Sequence, residues 1–337
     1  MKILRFFVMS ITIQDFSGIY KEQTFMQKLR ENAICQEKKL TRNNPQQNIH
    51  WLDCTQITGT DCYCDDEAIT EINKLIDESL CCGCGTESAT SPAIHFFDNG
   101  NYHYMSKIWT DRVQEPFDLV VFDHHPDMQP PRFGDILSCG GWVKKVLEEN
   151  KFVQNVVIIG VADHLIEELQ ADETAEFTNY KDRVTFIPES EIREWQARST
   201  RLSSKKPESS SREAPFSPLS SLVSRLPPKG GHAHVSAKAL SGQRSSNLYF
   251  SIDKDALSPA FAATNWDQGS LTFEALKSFI TELSQGRKIL GIDICGERAQ
   301  EFKPIENGAQ TAQEADELNN KLNQELVEWL IYNGLRI

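Results

Sequence analysis

The chain has 337 residues, of which 39% are hydrophobic, and a formal net charge of −13 at pH 7. That is apolar material enough for one large α/β domain or two ordinary ones, while the acidic balance argues against a nucleic-acid footprint and favours cationic small molecules and metal ions. No apolar run approaches the roughly 20 residues that span a bilayer, so no membrane partner is expected, and nine cysteines, an odd number in a long chain, point to a reducing cytoplasm rather than a secreted disulfide framework.

The opening MKILRFFVMSITI places Lys2 and Arg5 before a short apolar stretch without a small-residue cleavage site, and reads as an unstructured leader or a first strand. Strands are then expected at IHWLDC (49–54), AIHFFD (93–98), FDLVVFDH (117–124), NVVIIGVAD (155–163), RVTFIP (183–188), NLYFSIDKD (247–255) and KILGIDIC (288–295). Helical spacing occupies 66–80, 142–150, 164–170, 272–285 and 310–333, the last with Leu318, Leu322, Leu326 and Leu330 four apart. The strand runs are continuous rather than alternating, which suits strands covered on both faces. Their alternation with helices predicts one domain over 1–337, a three-layer α/β/α sandwich around a mainly parallel sheet.

Residues 199–246 break this rhythm. From Ala197 to Asn247 there are nine basic and two acidic residues, a local charge of +7 that leaves −20 for the remainder. Rich in Ser and Pro and nearly free of aromatic residues, the segment cannot bury enough apolar surface to offset its ordering entropy, and is expected to be a disordered insertion. Its GGHAH at 230–234 offers His232 and His234, which read as a solvated loop because two histidines alone make a poor site.

Two segments carry the chemistry. VVFDHHPDM sets Asp123, His125 and Asp127 at alternate positions where a buried strand gives way to its loop, the edge of a parallel sheet at which ligands bind. On extended backbone these side chains share one side. LYFSIDKDALSP ends in the same way, with Asp253 and Asp255. Four carboxylates at one sheet edge repel unless cations lie between them, and the mixed oxygen and nitrogen set suits Mn²⁺, with Zn²⁺ or another divalent ion also accommodated.

In order and content these segments resemble the arginase/ureohydrolase superfamily, whose signatures are D-x-H-x-D after one strand and S-x-D-x-D after a later one; a strand followed by an acid, GIDICGE ending at Glu297, is similar to a third element. The resemblance covers roughly 93–300 without the insertion and implies an arginase/deacetylase-like fold. It implies two Mn²⁺ ions bridged by Asp123 and Asp253, with Asp127 completing one and His125 and Asp255 the other. His103, in DNGNYHYMS, matches the remaining metal histidine, and Glu297 would face the guanidinium of a substrate. The implied reaction is hydrolysis of a linear amidine C–N bond in arginine, agmatine or a related or peptide-bound guanidino compound, by water activated on the metal pair. Homo-oligomers are compatible with it.

The departures are specific. The chain reads GNYH where the family has Gly-Gly-Asp-His, and Ser258-Pro259 where it has Asp-Pro. The family's proton-transfer histidine falls near LSCGGW, where Ser138 and Cys139 stand, which leaves Cys139 or His124 to move protons. GVADHLIEE supplies Asp163 and His164 but lacks the second acid of the arginase loop, so free arginine is not assured as substrate. Competing readings are a DHH-type phosphoesterase, suggested by VVFDHH, an amide hydrolase with one metal, and a non-catalytic metal-binding protein. Cys62, Cys64, Cys81, Cys82 and Cys84 form a separate cluster whose spacing does not match paired C-x₂-C zinc ligands, and they read as packed reduced thiols before zinc ligands or a redox pair.

Overall fold

Alternate residues of the apolar runs are buried on opposite sides of one sheet, Val120 and Phe122 in one apolar cluster and Leu119 and Val121 in the other. The computed structural model describes residues 10–38, 49–81, 93–203 and 245–332. In chain order the principal elements are β1 (Ser10–Asp15), α1 (Thr24–Lys38), β2 (Ile49–Asp53), β3 (Tyr63–Cys64), α2 (Asp66–Cys81), β4 (Ala93–Phe96), α3 (Met105–Thr110), β5 (Phe117–Phe122) and β6 (Leu137–Ser138). They continue with α4 (Trp142–Glu149), β7 (Val153–Ile159), α5 (Asp163–Ala171), β8 (Val184–Ile187), α6 (Glu189–Ser203), β9 (Asn247–Asp253), α7 (Phe273–Leu283), β10 (Lys288–Cys295) and α8 (Ala312–Tyr332).

The main sheet has eight strands in the order β2-β1-β4-β10-β9-β5-β7-β8, all paired in parallel. Both faces are covered, as a parallel sheet requires. One face carries α1, α6, α7 and α8 through residues such as Leu29, Ile192, Phe279 and Leu326. The other carries α2, α3, α4 and α5 through Ile72, Ile108, Trp142 and Leu169. This is the expected three-layer α/β/α architecture. No helix among the described residues is long and apolar enough to cross a membrane.

All seven anticipated strands and five anticipated helices form, with ends shifted by a few residues. The opening stretch supplies a true first strand, in which Ile11 and Ile13 are fully buried. α1, α3 and α6 were not anticipated. α1 presents few apolar positions among polar ones, and α3 has only six residues, too few to display a period. At its start the expected insertion is helical, since α6 continues through Ser203. Residues 204–244, with His232 and His234, lie outside the described residues.

Candidate metal centre

Strand register brings the site together. β5 pairs with β9 so that Phe122 lies opposite Ile252, and the next step along each strand sets Asp123 beside Asp253. On the other side of β9, Asp253 pairs with Cys295 at the end of β10. Three adjacent strands therefore end in a row of Asp123, Asp253 and Cys295 at the carboxyl edge of the sheet, where neighbouring strands lie ~5 Å apart.

The remaining donors arrive by turns rather than by strand alternation. Asp123 Oδ1 accepts the His125 N–H at 2.6 Å, and Asp253 Oδ1 accepts the Asp255 N–H at 3.0 Å. Each signature thus folds as an aspartate-capped turn, a local conformation that the short carboxylate side chain favours. Asp127 reaches the cluster through a left-handed backbone, φ 48, and not as the fifth residue of an extended run. It is fixed there by the Trp142 indole N–H, which donates to Oδ2 at 2.7 Å, and by the Val143 N–H, which donates to its carbonyl at 3.0 Å.

His103 enters from the segment after β4, through a short 3-10 turn at Gly100–Tyr102 capped by the Asn99 side chain. It is 1% exposed, not a surface residue. Its Nδ1 lies 2.9 Å from Asp127 Oδ2, 3.0 Å from Asp123 Oδ2 and 3.6 Å from Asp253 Oδ2. Its Nε2 lies 2.8 Å from the Ser251 hydroxyl, which in turn meets Ser106 Oγ at 2.8 Å, so the serine of the second signature orients the imidazole. A side chain at Gly100 would come within 3.0 Å of Asp253 Oδ2 and 2.7 Å of the Trp266 ring, which explains a glycine at that close approach.

Three overlapping groups of potential ligand atoms result, each with all its atoms within 4.8 Å of one another: His103, Asp123 and Asp127; Asp123, His125 and Asp255; and His103, Asp253 and Cys295. One imidazole N–H cannot satisfy three carboxylate oxygens. Asp123 Oδ2 is fully buried and has no well-formed hydrogen bond, although His103 Nδ1 lies 3.0 Å away. Burial and the adjacent charge of Asp123 push Asp127 up to about 7. Burial, with Asp253 and Asp123 nearby, raises Asp255 well above the carboxylate range, and burial also raises Asp253. Against the cost of burial, His103 and His125 hold Asp123 low, and the surrounding carboxylates hold both imidazoles well above their usual values. Buried carboxylates that repel one another, two imidazoles and an orphaned oxygen fit a divalent cation site.

Several side chains sit elsewhere than the resemblance implies. Glu297 does not face the site: it is 0% exposed and ion-paired with Lys254, itself 0% exposed, while Gln23 and Asn323 donate to the same carboxylate at 2.7 and 2.8 Å. The physical cause is Gly296, whose φ of 91 turns the chain so that the Glu297 N–H donates to the Asp98 carbonyl. Cys139 stands beside Cys62, and that neighbouring thiol together with burial pushes its pKa strongly up. His124 does not join the ligand groups; its Nδ1 lies 3.2 Å from the Gly160 carbonyl and its Nε2 3.5 Å from Asp267. Asp163 is occupied by the Ser190 N–H and hydroxyl. Cys64 is buried beside Tyr104, Cys81 ends α2, and Cys82 and Cys84 lie outside the described residues.

Three residues near the site carry no spacing signal in the sequence. Asp267 Oδ1 lies 3.1 Å from His125 Nε2, and its side chain is 67% exposed. Trp266, 42% exposed, stands edge-on to His125 with ring centroids 5.7 Å apart, its indole N–H donating to Asn101 Oδ1 at 3.0 Å. Cys295 donates to Asp253 Oδ2 at 3.3 Å. Only strand register could have revealed Cys295, and only the fold could have revealed the other two.

Among solved structures, the chain has the fold of the arginase/ureohydrolase superfamily. Arginase of Entamoeba histolytica in complex with L-ornithine superposes with a TM-score of 0.55 at 10% identity, covering 96% of this chain and 98% of that one. Proclavaminate amidinohydrolase of Streptomyces clavuligerus gives 0.54 at 16% identity, with 96% and 92% covered. Agmatine ureohydrolase of Thermoplasma volcanium gives 0.53 at 13%, with 98% and 93% covered. An uncharacterized protein of Thermotoga maritima is 24% identical over 287 residues, 85% of this chain and 79% of its own length. No protein-family model matches the sequence.

Proposed function

We propose that this chain is a metal-dependent hydrolase of the ureohydrolase type, cleaving a C–N bond of a linear amidine in a small guanidino compound or in an arginine side chain of a peptide. The observation that carries this reading is that two ligand groups share Asp123, one with His103 and Asp127 and the other with His125 and Asp255. Asp253, beside Asp123 and 3.6 Å from His103, would hold the same metal centre as a further carboxylate. Two Mn²⁺ ions bound there would supply a water of lowered pKa, a nucleophile at neutral pH. A hydrolase with one metal has no use for Asp127 and Asp255 together, yet both converge.

The chain's own residues supply the rest. Trp266 offers an exposed aromatic surface beside His125, and Asp267 and Asp61 place carboxylates on the same rim, a setting that suits a planar cation. The 3.5 Å approach of His124 Nε2 to the exposed Asp267 carboxylate supports a proton-transfer role for His124 rather than for Cys139. The test is urea release from a panel of guanidino compounds, with an arginine-containing peptide among them, by metal-stripped protein reloaded with Mn²⁺. Activity that appears with manganese and is absent from Asp253→Asn supports the reading. Manganese binding without hydrolysis favours a non-catalytic metal-binding protein, a second reading supported by the inward turn of Glu297 onto Lys254.

A further inference from the structure

Two thiols outside the ligand set face each other beside the site. β3 and β6 form a small antiparallel ribbon in which Tyr63 pairs with Ser138 and Cys64 with Leu137. One step outward the same register sets Cys62 opposite Cys139, and the Cys139 N–H donates to the Cys62 carbonyl at 2.9 Å. Cys62 turns out of the ribbon at φ 60 and Cys139 opens the next turn, yet the backbone hydrogen bond between them holds their Cα atoms at a separation on the order of the 4.4–6.8 Å that a disulfide bridges. Each thiol is close enough to perturb the acidity of the other, and neither residue is fully buried. We propose that Cys62 and Cys139 form a reversible disulfide by exchange with a small-molecule disulfide, so that this ribbon is a redox modification site.

The pair is asymmetric in a way that orders the steps. Their contact shifts acidity toward Cys62 and away from Cys139, which makes Cys62 the attacking sulfur. Cys62 attacks one sulfur of the small disulfide, whose S–S bond breaks and releases one thiolate. The Cys139 thiol gives its proton to that thiolate and attacks the Cys62 sulfur of the mixed disulfide, and the second small thiol departs after taking up a proton. Two protein thiols are oxidised to one disulfide, and one small disulfide is reduced to two thiols.

The bond would tie together two walls of the candidate metal centre. Asp61, next to Cys62, accepts from Asn101 Nδ2 at 2.7 Å, and Asn101 also holds the Trp266 indole. Cys139 opens the turn into α4, whose first residue, Trp142, fixes Asp127. The inference depends on neither the metal nor the substrate.

The test treats the full chain with oxidised glutathione, blocks the remaining thiols, and maps peptides by mass spectrometry without reduction. The expected product is a peptide pair joined through Cys62 and Cys139 that separates on adding reductant. In Cys139→Ser, glutathione should remain on Cys62; in Cys62→Ser, Cys139 should stay a blocked thiol. A wild-type map in which both cysteines are blocked as free thiols, or in which Cys62 is joined to another cysteine, overturns the proposal without reliance on either variant. Glutathione trapped on Cys139 rather than on Cys62 overturns the order of attack.

Discussion

Lys254 and Glu297 neutralise each other in a space closed to water, one just past β9 and the other just past β10, with both side chains at most 1% exposed. Asn323 from α8 lies 3.3 Å from the lysine Nζ and donates to the glutamate, so the pair also fastens the last helix to the sheet edge that carries the ligands.

Removing one partner alone strands a buried charge. Lys254→Met or Glu297→Gln is expected to cost about 3–5 kcal/mol of stability, whereas the two changes together should cost much less, since the uncompensated charge is gone. Urea denaturation of the three variants reads this directly. If Glu297 instead contacted substrate, the double variant would be stable and its KM would rise; on the present geometry its KM stays put.

Ligand sharing predicts unequal effects within the cluster. Asp123→Asn, at the carboxylate common to two ligand groups, should abolish stoichiometric manganese binding, while Asp127→Asn or Asp255→Asn should leave one ion bound per chain. Calorimetric titration distinguishes zero, one and two sites. Equal loss in all three would remove the case for a shared ligand.

Metal loading should release protons. Asp127 titrates near 7 and both imidazoles are held protonated by their carboxylate neighbours when no cation is bound. These groups must lose protons to act as ligands, so the affinity for Mn²⁺ should rise with pH through neutrality and fall as the pH drops below 7. The heat of binding, compared in two buffers of different ionisation enthalpy at one pH, gives the number released; a value of zero contradicts the electrostatics described.

Asp267 touches no other ligand than His125, and acts through its ring. Asp267→Asn should weaken manganese binding by roughly 10–100-fold, as loss of a carboxylate that orients a metal-bound imidazole does elsewhere. Its side chain is 67% exposed, so the melting temperature without metal should hardly change.

Gly296 separates space from backbone strain. An added Cβ would lie 2.3 Å from Asp253 Oδ1 at a φ of 91, so Gly296→Ala should both destabilise the fold and displace a ligand. Gly134, at φ 56 with nothing within 4 Å, provides the control: alanine there should cost about 1 kcal/mol and leave metal binding intact.

The ligands were legible because they stand at the ends of apolar runs, and apolar runs report parallel strands. The convergence of Asp123, His125 and Asp127 was anticipated for a different reason from the one observed: extended alternation was expected, and aspartate-capped turns with a left-handed Asp127 achieve it. Glu297 was misplaced because a strand followed by an acid says nothing about the intervening turn, and Gly296 rotates the chain there. Asp267 and Trp266 lie in an irregular loop whose position depends on packing, so no period or spacing marks them. Cys62 and Cys139 are 77 positions apart, and only the β3–β6 register shows that they meet.

The order of strands has a consequence for the birth of the site. Among the described residues β9 and β10 follow the other strands in chain order, yet they occupy the middle of the sheet, between β4 and β5. Without them no strand joins β4 to β5, and His103 follows one group of strands while Asp123, His125 and Asp127 follow the other. A chain still lacking residues beyond Asn247 has neither the second set of acids nor the strands that bring the first set together. A nascent or truncated chain keeps only His103, Asp123, His125 and Asp127, divided between the two groups of strands, so the full set of carboxylates around a cation comes together only once β9 and β10 are in place.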